Sequence, residues 1–170
     1  GADCLECPTI HVAPSADSTE FDKAVRGISS YDWLIFTSVN GVSFFFEKLF
    51  SVGKDVRALG HIRTAAIGPA TAGRLQDFGL VCDIVPSSYR AESIIEAFST
   101  RNVKGRKILL PRAREARPIL PVELAKMGAT VHEVAAYVTR PSRENRDTLL
   151  SELRDRHIDC VTFTSSSTVK

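Results

Sequence analysis

The stretch Asp32-Trp33-Leu34-Ile35-Phe36-Thr37-Ser38-Val39-Asn40-Gly41-Val42-Ser43-Phe44-Phe45-Phe46-Glu47-Lys48-Leu49-Phe50 changes its period halfway along. Residues 33–36 are a continuous apolar run, short enough for a strand buried on both faces. From Val42 onward the apolar positions Val42, Phe45, Phe46, Leu49 and Phe50 fall at i, i+3, i+4, i+7 and i+8, which is one broad helical face. A strand, a polar turn and a helix in that order make the elementary unit of a parallel sheet, because parallel strands need crossover connections and helices supply them.

The same alternation extends outward in both directions. Short β-branched runs at residues 62–67, 81–85, 107–110 and 131–134 read as four more strands. Phe21, Ala24, Val25 and Ile28 form a helical stripe after Thr19, which is suited to the N-cap. Ile94, Ile95 and Phe98 form another, and so do Leu120, Leu124 and Met127, with Pro121 fitting a first turn and Gly128 the C′ position. A last helix is expected over residues 144–156. The expected fold is α/β, a doubly wound, flavodoxin-like parallel sheet of five strands with helices on both faces.

An internal repeat adds a second copy. Gly1-Ala2-x-x-x-Glu6 recurs as Gly128-Ala129-x-x-x-Glu133, and Asp32-x-x-x-Phe36-Thr37-Ser38 recurs as Asp159-x-x-x-Phe163-Thr164-Ser165, both at an offset of 127 residues. Two matches at one offset imply two copies of one unit. Pro8 and Pro14 bracket one extended segment and residues 137–141 form its counterpart. The expectation is a complete α/β domain over residues 13–137, with residues 1–12 and 138–170 forming an incomplete second copy joined through a two-stranded linker. The opening Gly1 and the single Met127 read as a processed chain or a piece of a longer one.

In such a sheet ligands bind beyond the carboxyl ends of the strands. The loops there are Thr37-Ser38-Val39-Asn40-Gly41, Gly68-Pro69-Ala70-Thr71, Pro86-Ser87-Ser88-Tyr89-Arg90 and Pro111-Arg112-Ala113-Arg114. Each brings a hydroxyl, a small residue or an arginine to a helix start. Singly each is ordinary capping; together they line one edge with free N–H groups and short polar side chains suited to anions. Residues 101–117 carry seven Lys and Arg against Glu115 alone, in a chain whose net charge is only +2. That run reads as a solvated face, or as Arg112, Arg114 and Arg117 projecting beside the other loops toward a small polyanion or a nucleic acid.

Other classes are disfavoured. Apolar residues are 44% and charged residues 25% of the 170, a folded composition rather than a disordered one. No run approaches the ~18 apolar residues of a membrane span and no signal core opens the chain, so the default compartment is the cytoplasm. Cys4 and Cys7 form one CxxC, but Cys82, Cys160 and the four histidines stand alone, so no metal site is expected and the plain reading of the cysteines is small buried residues. GxSxG, GxxxxGK[ST], GxGxxG and HExxH are all missing. An enzyme here would have to work by holding its substrate's shape.

Taken in order and spacing, these motifs resemble the uroporphyrinogen-III synthase family of tetrapyrrole biosynthesis. The carrying residues are those of 32–42, Ala66-Ile67-Gly68-Pro69-Ala70-Thr71-Ala72, Gly79 with Val85-Pro86 and Tyr89-Arg90-Ala91-Glu92, Leu110-Pro111-Arg112, and Gly128-Ala129 with Glu133-Val134 and Tyr137. The resemblance implies two similar domains joined by a two-stranded ladder. It also implies closure of linear hydroxymethylbilane, with its eight carboxylates, to uroporphyrinogen III, the terminal ring being inverted and water lost. No metal or organic cofactor is implied. Tyr137 would be the catalytic donor or orienter for the leaving water, or else a linker aromatic packing the hinge. Thr37, Ser38, Asn40, Gly68, Thr71, Ser87, Tyr89 and Arg112 would bind substrate from one side, and Thr164, Ser165 and Ser166 from the other. The implied protein is a cytoplasmic monomer without nucleic-acid or membrane partners, fused to or working beside a uroporphyrinogen methyltransferase in some bacterial relatives. The competing readings are a non-catalytic anion-binding α/β module and a nucleic-acid-binding domain using residues 101–117.

Overall fold

The computed structural model describes residues 3–162. These divide into two compact units: one is Pro14–Val138, and the described residues on either side of it make the other. Among the described residues one five-stranded sheet is found, in the order β1-β5-β4-β2-β3, with strands β1 (Ile10–Pro14), β2 (Trp33–Phe36), β3 (Arg63–Ala66), β4 (Lys107–Ala113) and β5 (Thr130–Pro141). The β2–β3, β2–β4 and β4–β5 pairs are all parallel.

Alternation along β2 explains how a fully apolar strand serves two cores. Leu34 and Phe36 join Leu109 in one cluster, whereas Trp33 and Ile35 join Ile108 and Leu110 in the other. Helices α1 (Thr19–Arg26), α2 (Val39–Ser51) and α3 (Pro69–Asp77) close the first core through Phe21, Val25, Val42, Phe45, Phe46, Leu49 and Leu75. Helices α4 (Ala91–Ser99) and α5 (Ile119–Lys126) close the second through Ile94, Phe98, Leu120 and Leu124. Each fully buried Phe or Leu is worth about 1.5–3 kcal/mol of transfer free energy, so α2 is bound to the sheet more firmly than its intrinsic propensity would hold it.

Three local expectations are corrected. Residues 81–85 do not form a strand: only Ile84 bridges Ala65, and Val81 is 84% exposed. The Asp83 carboxylate takes the Thr64 N–H at 2.7 Å in place of a backbone partner, and Pro86 has no N–H to continue a ladder. The fifth strand is β1 instead. Ser18 rather than Thr19 occupies the N-cap of α1, with the Asp17 carboxylate accepting from the Thr19 N–H. The cysteines are not fully buried: Cys4 and Cys160 are exposed and Cys7 and Cys82 half-buried, with Cys82 packed against the first core.

In the flanking unit, Ser142 N–H donates to the Thr9 carbonyl and Asn145 Nδ2 to the Glu6 carbonyl. Helix α6 (Arg146–Arg154) is shorter than the expected 144–156 because Asn145 sits in the left-handed region, and it buries no residue. No described helix is long and apolar enough to cross a membrane.

Candidate functional site

The carboxyl ends of β3, β2 and β4 are neighbours in the Pro14–Val138 unit, and α3, α2 and α5 start just beyond them. After β2 the chain turns through half-buried Thr37 into Ser38, whose extended backbone and side chain make the N-cap of α2. The Ser38 Oγ accepts from the Gly41 N–H at 3.0 Å. Gly41 fits closely there: a Cβ would lie 3.1 Å from the Pro111 carbonyl oxygen and 3.2 Å from Ser38 Oγ, so a larger residue would press on the cap. Asn40, in the first turn, is exposed.

Tyr137 reaches this cap from β5. Its hydroxyl lies 2.9 Å from Ser38 Oγ, and its ring, 7% exposed, stacks on Phe44 at 5.5 Å between centroids and 15° between planes. A β-bulge makes this possible. Arg112 pairs with Ala135 but Ala113 pairs with Tyr137, so Ala136 is the extra residue. In a regular strand Ala136 and Tyr137 would face opposite sides. Here both pack in the core shared with α2.

Gly68 is the N-cap of α3, and Pro69 follows as its first residue. The Tyr89 ring lies against Gly68, its Cδ1 only 2.7 Å from where a Cβ would stand. Thr71 is buried, Ser87 exposed, and Ser88 instead accepts the hydrogen bond from Ser93 Oγ at 3.0 Å.

Arg112 departs most from expectation. It does not lie in a loop beside the other edge residues but inside β4, 4% exposed. One guanidinium nitrogen donates to the Arg117 carbonyl, another lies 3.5 Å from Glu133, and Nε has no hydrogen-bond partner. Burial pulls its pKa down, opposed by Glu133 and Tyr137. Arg114 turns away to Ser15 Oγ at 2.5 Å. The basic run does not make one patch. Arg106 pairs with Asp32 at the start of β4, whereas Arg114 and Arg117 lie past its end, about 20 Å away at ~3.3 Å per strand residue.

The structure therefore brings Ser38 and Tyr137 together, sets Tyr89 on Gly68, and encloses Thr71 and Arg112. Thr164, Ser165 and Ser166 lie outside the described residues. Sequence reading missed Phe44 and the bulge. The signal for Phe44 was an aromatic off the helical stripe; for the bulge, only the small pair Ala135-Ala136 marks the place.

The family described as uroporphyrinogen-III synthase HemD matches residues 1–170. The uroporphyrinogen-III synthase of Synechococcus elongatus is 33% identical over 171 residues, covering 100% of this chain and 64% of that protein. The porphyrin biosynthesis protein HemD of Ruminiclostridium josui is 29% identical, over 100% of this chain and 34% of its own length. This chain thus spans less than two thirds of either relative. The crystal structure of a mutant uroporphyrinogen III synthase from Thermus thermophilus superposes with a TM-score of 0.71 at 22% identity, covering 95% of this chain and 63% of that one, a likeness of fold.

Proposed function

We propose that this chain, which belongs to the uroporphyrinogen-III synthase family, is part of an enzyme that closes hydroxymethylbilane to uroporphyrinogen III with loss of water. The observation that carries the reading is the 2.9 Å pair of Ser38 Oγ and Tyr137 hydroxyl at the start of α2. Ser38 has one proton and two lone pairs. With one lone pair filled by the Gly41 N–H, its proton can point at the Tyr137 oxygen, which frees the phenolic proton for a bound leaving group. Tyr137 then protonates the departing hydroxyl of the bilane. Water leaves with the bonding electrons of the C–O bond, a delocalised cation remains at the terminal carbon, and ring closure returns a proton from the attacked pyrrole.

Uncatalysed closure would give the un-inverted ring, so the larger task is to hold a flexible chain in one reactive geometry. Helix starts at α2, α3 and α5 favour carboxylates. Thr37, Ser38, Asn40, Gly68, Ser87 and Tyr89 are the proposed contacts; Thr71 and Arg112 are proposed to act after their covering residues move. Thr164, Ser165 and Ser166 are proposed to serve from the repeated unit. The finer architecture belongs to the same proposal: a doubly wound, flavodoxin-like domain over residues 13–137 and an incomplete copy of it in 1–12 and 138–170. So do a monomeric, cytoplasmic, cofactor-independent enzyme and its work beside a uroporphyrinogen methyltransferase.

Incubating the complete gene product with freshly made hydroxymethylbilane and resolving the product isomers tests the reading. Type III product is expected. Type I product alone would leave an anion-binding module without the chemistry.

A further inference from the structure

The hydrophobic stripe of α2 accounts for Val42, Phe45, Phe46 and Leu49, all buried. It does not account for Phe44, which lies on the neighbouring row with Gly41 and Lys48 and is only half-buried. Its ring is stacked on Tyr137. A cavity of about 200 Å³ opens against Phe44, lined also by Pro14, Phe21, Lys48 and Ala136. Phe44 is therefore not wedged in the core as Phe45 and Phe46 are.

Tyr137 needs such a support. The bulge at Ala136 turns it toward α2, where its ring is buried in the first core, and Ser38 holds the oxygen. Within that packing the face contact with Phe44 selects the ring plane, because offset and stacked aromatic pairs prefer defined planes.

We propose that Phe44 is a positioning residue that fixes the plane of the Tyr137 phenol so that its hydroxyl meets the leaving group. The inference rests on the reading of Tyr137 as proton donor. The ring-face contact acts on the chemical step and not on substrate affinity.

The test compares Phe44→Leu, Phe44→Tyr and Tyr137→Phe in the complete gene product, by steady-state turnover of hydroxymethylbilane and by NMR of the tyrosine ring protons. Misplacing a reacting group by about 1 Å can cost about a hundredfold. Phe44→Leu should lower kcat about tenfold with KM within about twofold. Phe44→Tyr keeps the flat face and should stay within about twofold of the parent. The Tyr137 ring protons should lose their upfield ring-current shift in Phe44→Leu and keep it in Phe44→Tyr. Unchanged kcat in Phe44→Leu beside a slow Tyr137→Phe would overturn the positioning role and leave Tyr137 standing. Equal damage from Leu and Tyr would overturn it too, since bulk and not the aromatic plane would then matter. Wild-type turnover by Tyr137→Phe would remove the underlying reading itself.

Discussion

At the edge where β2 and β4 begin, Asp32 accepts from the Lys107 N–H and from Arg106, both at 2.8 Å, while its own N–H donates to the Lys107 carbonyl. Beside it the Tyr31 hydroxyl lies 2.5 Å from His132 Nδ1 with the rings stacked. At the edge where the same strands end, the Ser38–Tyr137 pair has hydrogen-bonding capacity to spare and Arg112 Nε has no hydrogen-bond partner. A parallel sheet has two such ends, built from the same strands and the same backbone. The difference is that the first end satisfies its polar groups internally and so serves stability, whereas the second keeps hydrogen-bonding capacity unused, which the proposed function assigns to substrate.

Tyr137→Phe and Asp32→Ala separate the two ends with the largest expected effects, because they should fail in opposite assays. Tyr137→Phe should lower kcat about a hundredfold, the low end for a lost proton donor, with stability falling by no more than about 1 kcal/mol for one hydrogen bond. Asp32→Ala should leave kcat within about twofold and lower stability by about 2 kcal/mol. The pH dependence follows from the same contacts. The Lys107 N–H, and after it Arg106, hold the Asp32 carboxyl below its ordinary value against the opposing effect of burial. A carboxylate whose folded pKa is depressed contributes its stability above the unfolded pKa, about 3.9, and loses it as pH falls through the folded value. The stability gap between parent and Asp32→Ala in urea titrations should therefore narrow from neutral pH to pH 3. A constant gap at both would show that Asp32 acts through packing.

Arg112→Met probes the buried cation at the second end. The guanidinium is buried with one long ion pair to Glu133, itself 38% exposed and able to regain water once alone. Replacing a buried cation by an apolar side chain of similar length is often neutral or stabilising, so stability should hold or rise by about 1 kcal/mol. A loss of 2 kcal/mol or more in the same urea titration would make Arg112 a structural brace like Asp32.

These expectations also measure what the sequence carries. The β2–α2 stretch was legible because its period changes cleanly, from a run buried on both faces to a 3.6-residue stripe, and Ser38 was legible as a cap because caps follow from adjacent residues. Residues 81–85 misled because β-branched composition does not reveal whether a neighbouring strand offers a full ladder; here a side chain, Asp83, took the bond. Arg112 misled because β4 continues three residues past its apolar run, through Pro111 to Ala113, which register with β5 decides and local pattern does not. The bulge depends on the same register. Contacts between residues about a hundred apart, such as Ser38 with Tyr137, leave no local periodic trace.

Gly68→Ala is the smallest test and bears on the open end alone. A Cβ at 68 would sit 2.7 Å from Tyr89 Cδ1, a clash no pair of atoms tolerates, yet Tyr89 is 64% exposed and its ring can swing into solvent. Gly68 has extended backbone, so alanine brings no strain. It should even recover some unfolded-state entropy, ~0.4–1 kcal/mol, against the lost ring contact. Stability should accordingly change by less than about 0.5 kcal/mol, while Tyr89 becomes more reactive toward a phenol-modifying reagent. A loss above about 1.5 kcal/mol with unchanged Tyr89 reactivity would mean that the ring is fixed in place. The carboxyl-terminal edge would then be as internally satisfied at β3 as the opposite edge is at β2, leaving the Ser38–Tyr137 pair and Arg112 Nε as its unsatisfied groups.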